Sequence, residues 1–106
     1  MTAEDNPAPL ACTLSGEQVP ERRRVIQALL KRLIEIRELD EGLEFIFPGE
    51  ERLISELVEF LRFERNCCRF LSFELRFEPE QGPVRLRILG APAAKPIIRE
   101  LFRAEQ

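Results

Sequence analysis

Two of the three cysteines in this chain are neighbours, Cys67 and Cys68, and a carboxylate, Glu64, stands three and four residues before them. They belong to the stretch Glu64-Arg65-Asn66-Cys67-Cys68-Arg69-Phe70-Leu71-Ser72-Phe73, where a helical pattern hands over to a strand pattern. Residues three and four apart share one side of a helix. Cys67 also lies seven residues after Phe60, and Cys68 seven after Leu61, so a helix that persists to Cys68 turns both thiols inward beside Glu64. Thiolate and carboxylate donors together suit a soft ion such as zinc, cuprous copper or mercuric ion. Cys12 would supply a third sulfur if its segment lies beside the junction. The expected metal-binding set is Cys12, Cys67, Cys68 and Glu64, with zinc or another soft metal ion as the cofactor.

Other chemistry competes for the same residues. Adjacent cysteines do not chelate as a C-x-x-C turn does, and in an extended chain they point to opposite faces. Cys12 could instead close on Cys67 or Cys68 as a redox pair. Arg62, Arg65 and Arg69 would favour the thiolate there, while the negative end of the helix opposes it. A nucleophilic cysteine would have only Glu64 as its base, and a carboxylate is a poor base for a thiol. The bland account is packing, because free cysteine is among the most buried residue types. From the sequence these readings stay open.

Composition narrows the field. The 106 residues allow one domain with a single modest core. There is no histidine, so neither the usual catalytic triad nor a His-based metal site can be built. No acid–base constellation is visible, and an ordinary enzyme is disfavoured. Trp and Tyr are absent, which weakens sugar or base stacking, and a net charge of -3 speaks against general nucleic-acid binding. No apolar run approaches the ~20 residues of a membrane span, and the first residues lack the pattern of a signal peptide. An odd number of cysteines argues against a secreted disulfide framework. The expected location is the cytoplasm.

The elements that must carry the site follow from periodicity. Residues 1–9 read as a flexible tail, and 10–106 as a single α+β domain. Leu10 to Leu14 form an extended stretch, a candidate edge strand. Ser15 and Gln18 match a capping box, Leu14 and Val19 a hydrophobic staple. A long helix is expected to about Leu39, on the stripe Val25, Ile26, Leu29, Leu30, Leu33, Ile34 and Ile36. Arg22-Arg23-Arg24 opens it and reads as a solvated face rather than a phosphate site. Leu43, Phe45 and Phe47 alternate as a half-buried strand. A second helix runs from Glu50-Glu51 to Glu64 or Asn66.

Two strands then pair across Pro79-Glu80-Gln81-Gly82, a four-residue hairpin loop. Placing Phe77 opposite Val84 aligns Leu75 with Leu86 and Phe73 with Ile88, and a one-residue slip would bury the charges instead. Glu74 then faces Arg87. Arg76 faces Arg85, which needs an anion or Glu78 between them. A short helix carrying Ile97, Ile98, Leu101 and Phe102 closes the chain. The fold class is α+β: a small antiparallel sheet with about three helices packed mainly on one face. Ile46, Phe70 and Leu89 fall on the other face, where they could form the contact of a homodimer.

The segments Ala11-Cys12-Thr13-Leu14, Glu21-Arg22-Arg23, Glu64-Arg65-x-Cys67-Cys68-x-Phe70-Leu71-x-Phe73, Glu78-Pro79, Gly82-Pro83 and a Leu-x-Ile-x-Gly stretch ending at Gly90 resemble a small family of uncharacterised bacterial proteins. The resemblance covers residues 11–104. It departs at Arg69, where the family often has proline after the two cysteines, and at Ala93-Ala94, where it usually has a glycine. The resemblance implies that Cys12, Cys67, Cys68 and Glu64 recur as a set, and it carries no catalytic role. Together these readings point to a small bacterial protein that binds a soft metal or thiol-reactive ligand. The alternative is a non-catalytic protein-interaction or dimerisation module whose cysteines are packed in the core.

Overall fold

The computed structural model describes residues 19–102. In order these are α1 (Val19–Leu30), β1 (Glu35–Leu39), β2 (Gly42–Phe47), α2 (Glu51–Cys67), β3 (Ser72–Phe77), β4 (Val84–Leu89), a 3-10 turn at Pro92–Ala94, and α3 (Lys95–Phe102). The strands form one antiparallel sheet in the order β1-β2-β4-β3. The chain is therefore α+β, as its periodicity implies.

The core lies on one face of that sheet. Leu43, Phe45 and Phe47 of β2 sit opposite Ile88, Leu86 and Val84 of β4. All six are buried in one cluster with Leu29 of α1, Leu53, Leu57 and Phe60 of α2, and Ile98 of α3. The three helices thus share this face. The β3–β4 register is the one that parity demands, with Phe77 opposite Val84, Leu75 opposite Leu86 and Phe73 opposite Ile88. Its loop puts Glu80 and Gln81 at positive φ, 59° and 56°.

The long helix expected to Leu39 stops nine residues earlier, at Leu30. The end of α1 tightens into i→i−3 bonds, Arg32 N–H donating to Leu29 and Leu33 N–H to Leu30. Ile34 N–H then donates to the Ile46 carbonyl at 2.7 Å, so the chain is already on the sheet. Glu35–Leu39 continues as β1, joined to β2 by Asp40-Glu41. Pairing with β2 outweighs helix propensity here, because β1 satisfies its backbone groups along a ready-made edge. Pro20 lies in the first described turn of α1 and does not break it. The tail, the Leu10–Leu14 stretch, the Ser15–Gln18 capping box and the Leu14 staple partner lie outside the described residues.

The opposite face of the sheet is a ladder of charge. One row reads Arg37, Glu44, Arg87, Glu74 across the four strands, alternating in sign. The next reads Glu35, Ile46, Arg85, Arg76. Glu78 resolves the opposed arginines, reaching Arg85 at 2.9 Å and Arg76 at 3.4 Å. Glu44 is only 3% exposed and bridges Arg87 at 2.9 Å and Arg85 at 3.2 Å. Ile46 is buried as well, which removes it from the expected dimer contact, and Phe70 packs against the core. Arg85 and Arg87 flank Ile46 and Glu44 on this face.

Glu44 gives a pH prediction. Burial alone would raise its pKa, but hydrogen bonds and charge from Arg87 and Arg85 outweigh this and hold it below the ordinary 4.5. A depressed acid contributes stability above its unfolded pKa and loses it as pH falls through the folded value. Glu44→Gln should therefore lower unfolding stability at pH 7 by about 1–2 kcal/mol. The gap from wild type should close as pH drops below about 4.5. Urea unfolding at a series of pH values checks both.

Candidate functional site

Helix α2 carries the chemistry to one place. Leu53, Leu57, Phe60, Glu64 and Cys67 recur every three or four residues and are the buried positions of the helix. This stripe seats α2 on the sheet and turns its last members inward. The helix runs through Cys67, and Cys68 caps it, its N–H bonding the Glu64 carbonyl at 2.7 Å. Cys68 then accepts from Leu71 N–H at 3.2 Å, which turns the chain into β3. Helical geometry thus ends at the first cysteine; the second, at φ -117° and ψ 73°, has left the helix.

A Glu64 carboxylate oxygen and the Sγ atoms of Cys67 and Cys68 lie within 4.8 Å of one another, and all three residues are buried. Tetrahedral zinc with Zn–S bonds of about 2.3 Å holds its sulfurs ~3.8 Å apart, so these donors would close by no more than about 1 Å around such an ion. Cys67 is a free thiol. Cys68 is in a disulfide and fully buried. The structure therefore brings together three of the four expected donors, one of them oxidised. The fourth, Cys12, lies outside the described residues.

Arg22 is the residue that sequence reasoning missed. It is 8% exposed, and its guanidinium pairs with the Glu64 carboxylate, itself 2% exposed. It also donates to the Phe60 carbonyl at 3.4 Å and stacks on the Phe60 and Phe63 rings, 4.4 and 4.3 Å from their centroids. Arg23 and Arg24 are exposed, as a solvated basic face requires, but Arg22 is not. A signal was present. Val25, Ile26 and Leu29 stand three, four and seven residues after Arg22, so it lies on the apolar stripe of its own helix. Arg22 borders a groove of about 600 Å³ between α1 and α2, lined also by Val25, Ala28, Leu29 and Phe63.

Electrostatics set the resting state of the site. Burial pushes the Glu64 carboxyl above its ordinary range, and the Arg22 charge and hydrogen bond only partly oppose this. Burial also raises the Cys67 thiol, the Glu64 charge adds to it, and Arg22 acts the other way. Cys67 thus rests as a thiol, a poor nucleophile. A bound metal would displace that proton directly. The set can hold a soft cation, exchange a disulfide or pack.

Fold and site together define a small α+β protein with a buried glutamate–cysteine–cysteine group at a helix-to-strand turn. Compared with known proteins, the chain matches no family model, no curated protein and no solved structure. Among the described residues, no helix is long and apolar enough to cross a membrane.

Proposed function

We propose that this protein binds a soft metal ion or a thiol-reactive ligand through Cys67, Cys68 and Glu64, with Cys12 as the third sulfur the sequence supplies. One observation carries the reading: two sulfurs and a carboxylate oxygen, all of buried residues, converge within 4.8 Å. Burial removes competing water and strengthens each donor bond. A sulfur held in a disulfide is not a thiolate donor, so binding requires reduction of Cys68 by a dithiol, which leaves as its own disulfide. The oxidised chain is then the closed form and the reduced chain the binding form. Arg22 supports the site by holding the Glu64 carboxylate in place.

Cadmium titration of the fully reduced, desalted protein under anaerobic conditions tests this. One equivalent should saturate a thiolate-to-metal absorption band, with matching loss of reagent-accessible thiols. Cys67→Ser should weaken binding at least about ten-fold, since it removes a primary ligand. The oxidised protein should bind no better than that variant. Reduced wild type that takes up no more cadmium than Cys67→Ser overturns the reading.

A second reading has its own support, the disulfide at Cys68 and the completed Arg22–Glu64 pair. In it the cluster is a structural clamp and the protein a non-catalytic interaction module. Thiols that stay protected until unfolding, with no cadmium bound, would favour that account.

A further inference from the structure

The strand β3 closes one side of the sheet, and among the described residues only β4 pairs with it. Edge strands that stay unpaired are blunted by proline, a bulge or an inward charge. Residues 72–77 have no proline, and they pair with β4 residue for residue without a bulge. Their core-side residues are also poorly covered. Phe77 is 55% exposed, and Phe73 and Leu75 are only half-buried. The helix that lies on β3 is α2. Ile54 and Leu61 of α2 are half-buried and Val58 is exposed. Spaced at i, i+4 and i+7, they continue the apolar strip along the flank of the helix away from Phe63.

We infer that a second copy of this chain pairs with β3, antiparallel, to join the two described sheets into one. Charge selects the register. With Leu75 on the two-fold axis, opposite itself, Glu74 of each copy faces Arg76 of the other, and Phe73 faces Phe77. Glu74 and Arg76 then attract twice on the charged face, while Phe73, Leu75 and Phe77 meet their counterparts on the core face. A shift of one residue puts charges on the core face. Centring on Glu74 sets glutamate against glutamate, and centring on Arg76 sets arginine against arginine. Both side chains are available. Arg76 is 70% exposed and Glu74 is exposed, and Arg87 opposite Glu74 turns to Glu44 instead. The edge strand β1 offers less. Glu38 puts a charge on its core-side row, opposite Leu43, where Lys95 and Arg99 of α3 pair with it, and an inward charge blunts an edge. This inference is independent of the thiol site.

Sedimentation equilibrium of the full chain tests it. Wild type should be a dimer at about 100 µM. Arg76→Glu should raise the dimer dissociation constant at least about ten-fold, because both cross-interface pairs turn repulsive. That change trades the Glu78 partner of position 76 for the facing Arg85, so the monomer should keep its unfolding midpoint. Glu74→Arg/Arg76→Glu together restore both cross-interface pairs and should recover the dimer. Monomeric wild type at that concentration overturns the inference. So does a dimer that Arg76→Glu leaves intact, or one that the double exchange fails to restore.

Discussion

Arg22→Met is expected to destabilise the fold by about 3–5 kcal/mol, because it leaves the Glu64 carboxylate buried without its counter-charge. The two side chains join α1 to α2 across the core, and both are almost fully buried. Methionine leaves an apolar side chain beside the Phe60 and Phe63 rings on which the guanidinium stacks, so the loss reports on charge rather than on a cavity. Removing both charges in Arg22→Met/Glu64→Leu should recover most of the stability, to within about 1–2 kcal/mol of wild type. Denaturant unfolding of the oxidised proteins at pH 7 measures all three. A single variant within about 1 kcal/mol of wild type would show that the pair is not desolvated as the geometry requires.

Gly42→Ala should be the most damaging change in the sheet, lowering stability by about 3 kcal/mol or more. A Cβ built on Gly42 would lie 1.9 Å from the Ile88 carbonyl oxygen and 2.9 Å from its carbon. Both are backbone atoms, so no side chain can turn aside. Gly42 pairs with Leu39 on one side and Leu89 on the other, at the first position of β2. The added methyl forces β2 and β4 apart and disturbs the Gly90 N–H bond to Glu41 at 2.9 Å. The reason is space and not backbone angle, since no described glycine has positive φ. A loss under about 1 kcal/mol in urea unfolding would contradict this.

The hairpin of β3 and β4 was legible because parity and loop length agree. Only one register places Phe73, Leu75, Phe77, Val84, Leu86 and Ile88 on one side, and it also predicts the Glu78 bridge between Arg76 and Arg85. The strand β1 was not legible. Leu33, Ile34 and Ile36 satisfy helical spacing after Leu29 and Leu30 as well as they suit a strand, and only the edge offered by β2 decides between them. The grouping of Glu64 with the two cysteines followed from heptad spacing along α2 and holds in space. The role of Arg22 was hidden in a basic triplet, where two of three members do face solvent. The oxidation state of Cys68 depends on which sulfurs meet in three dimensions, which local spacing does not encode.

X-ray absorption spectroscopy of the reduced, zinc-loaded protein is the most direct test of the soft-ligand site. A first shell containing at least two sulfurs at about 2.3 Å is expected, reduced in amplitude by Cys67→Ser. A shell of oxygen and nitrogen alone at about 2.0–2.2 Å would contradict it and leave the cysteines to packing.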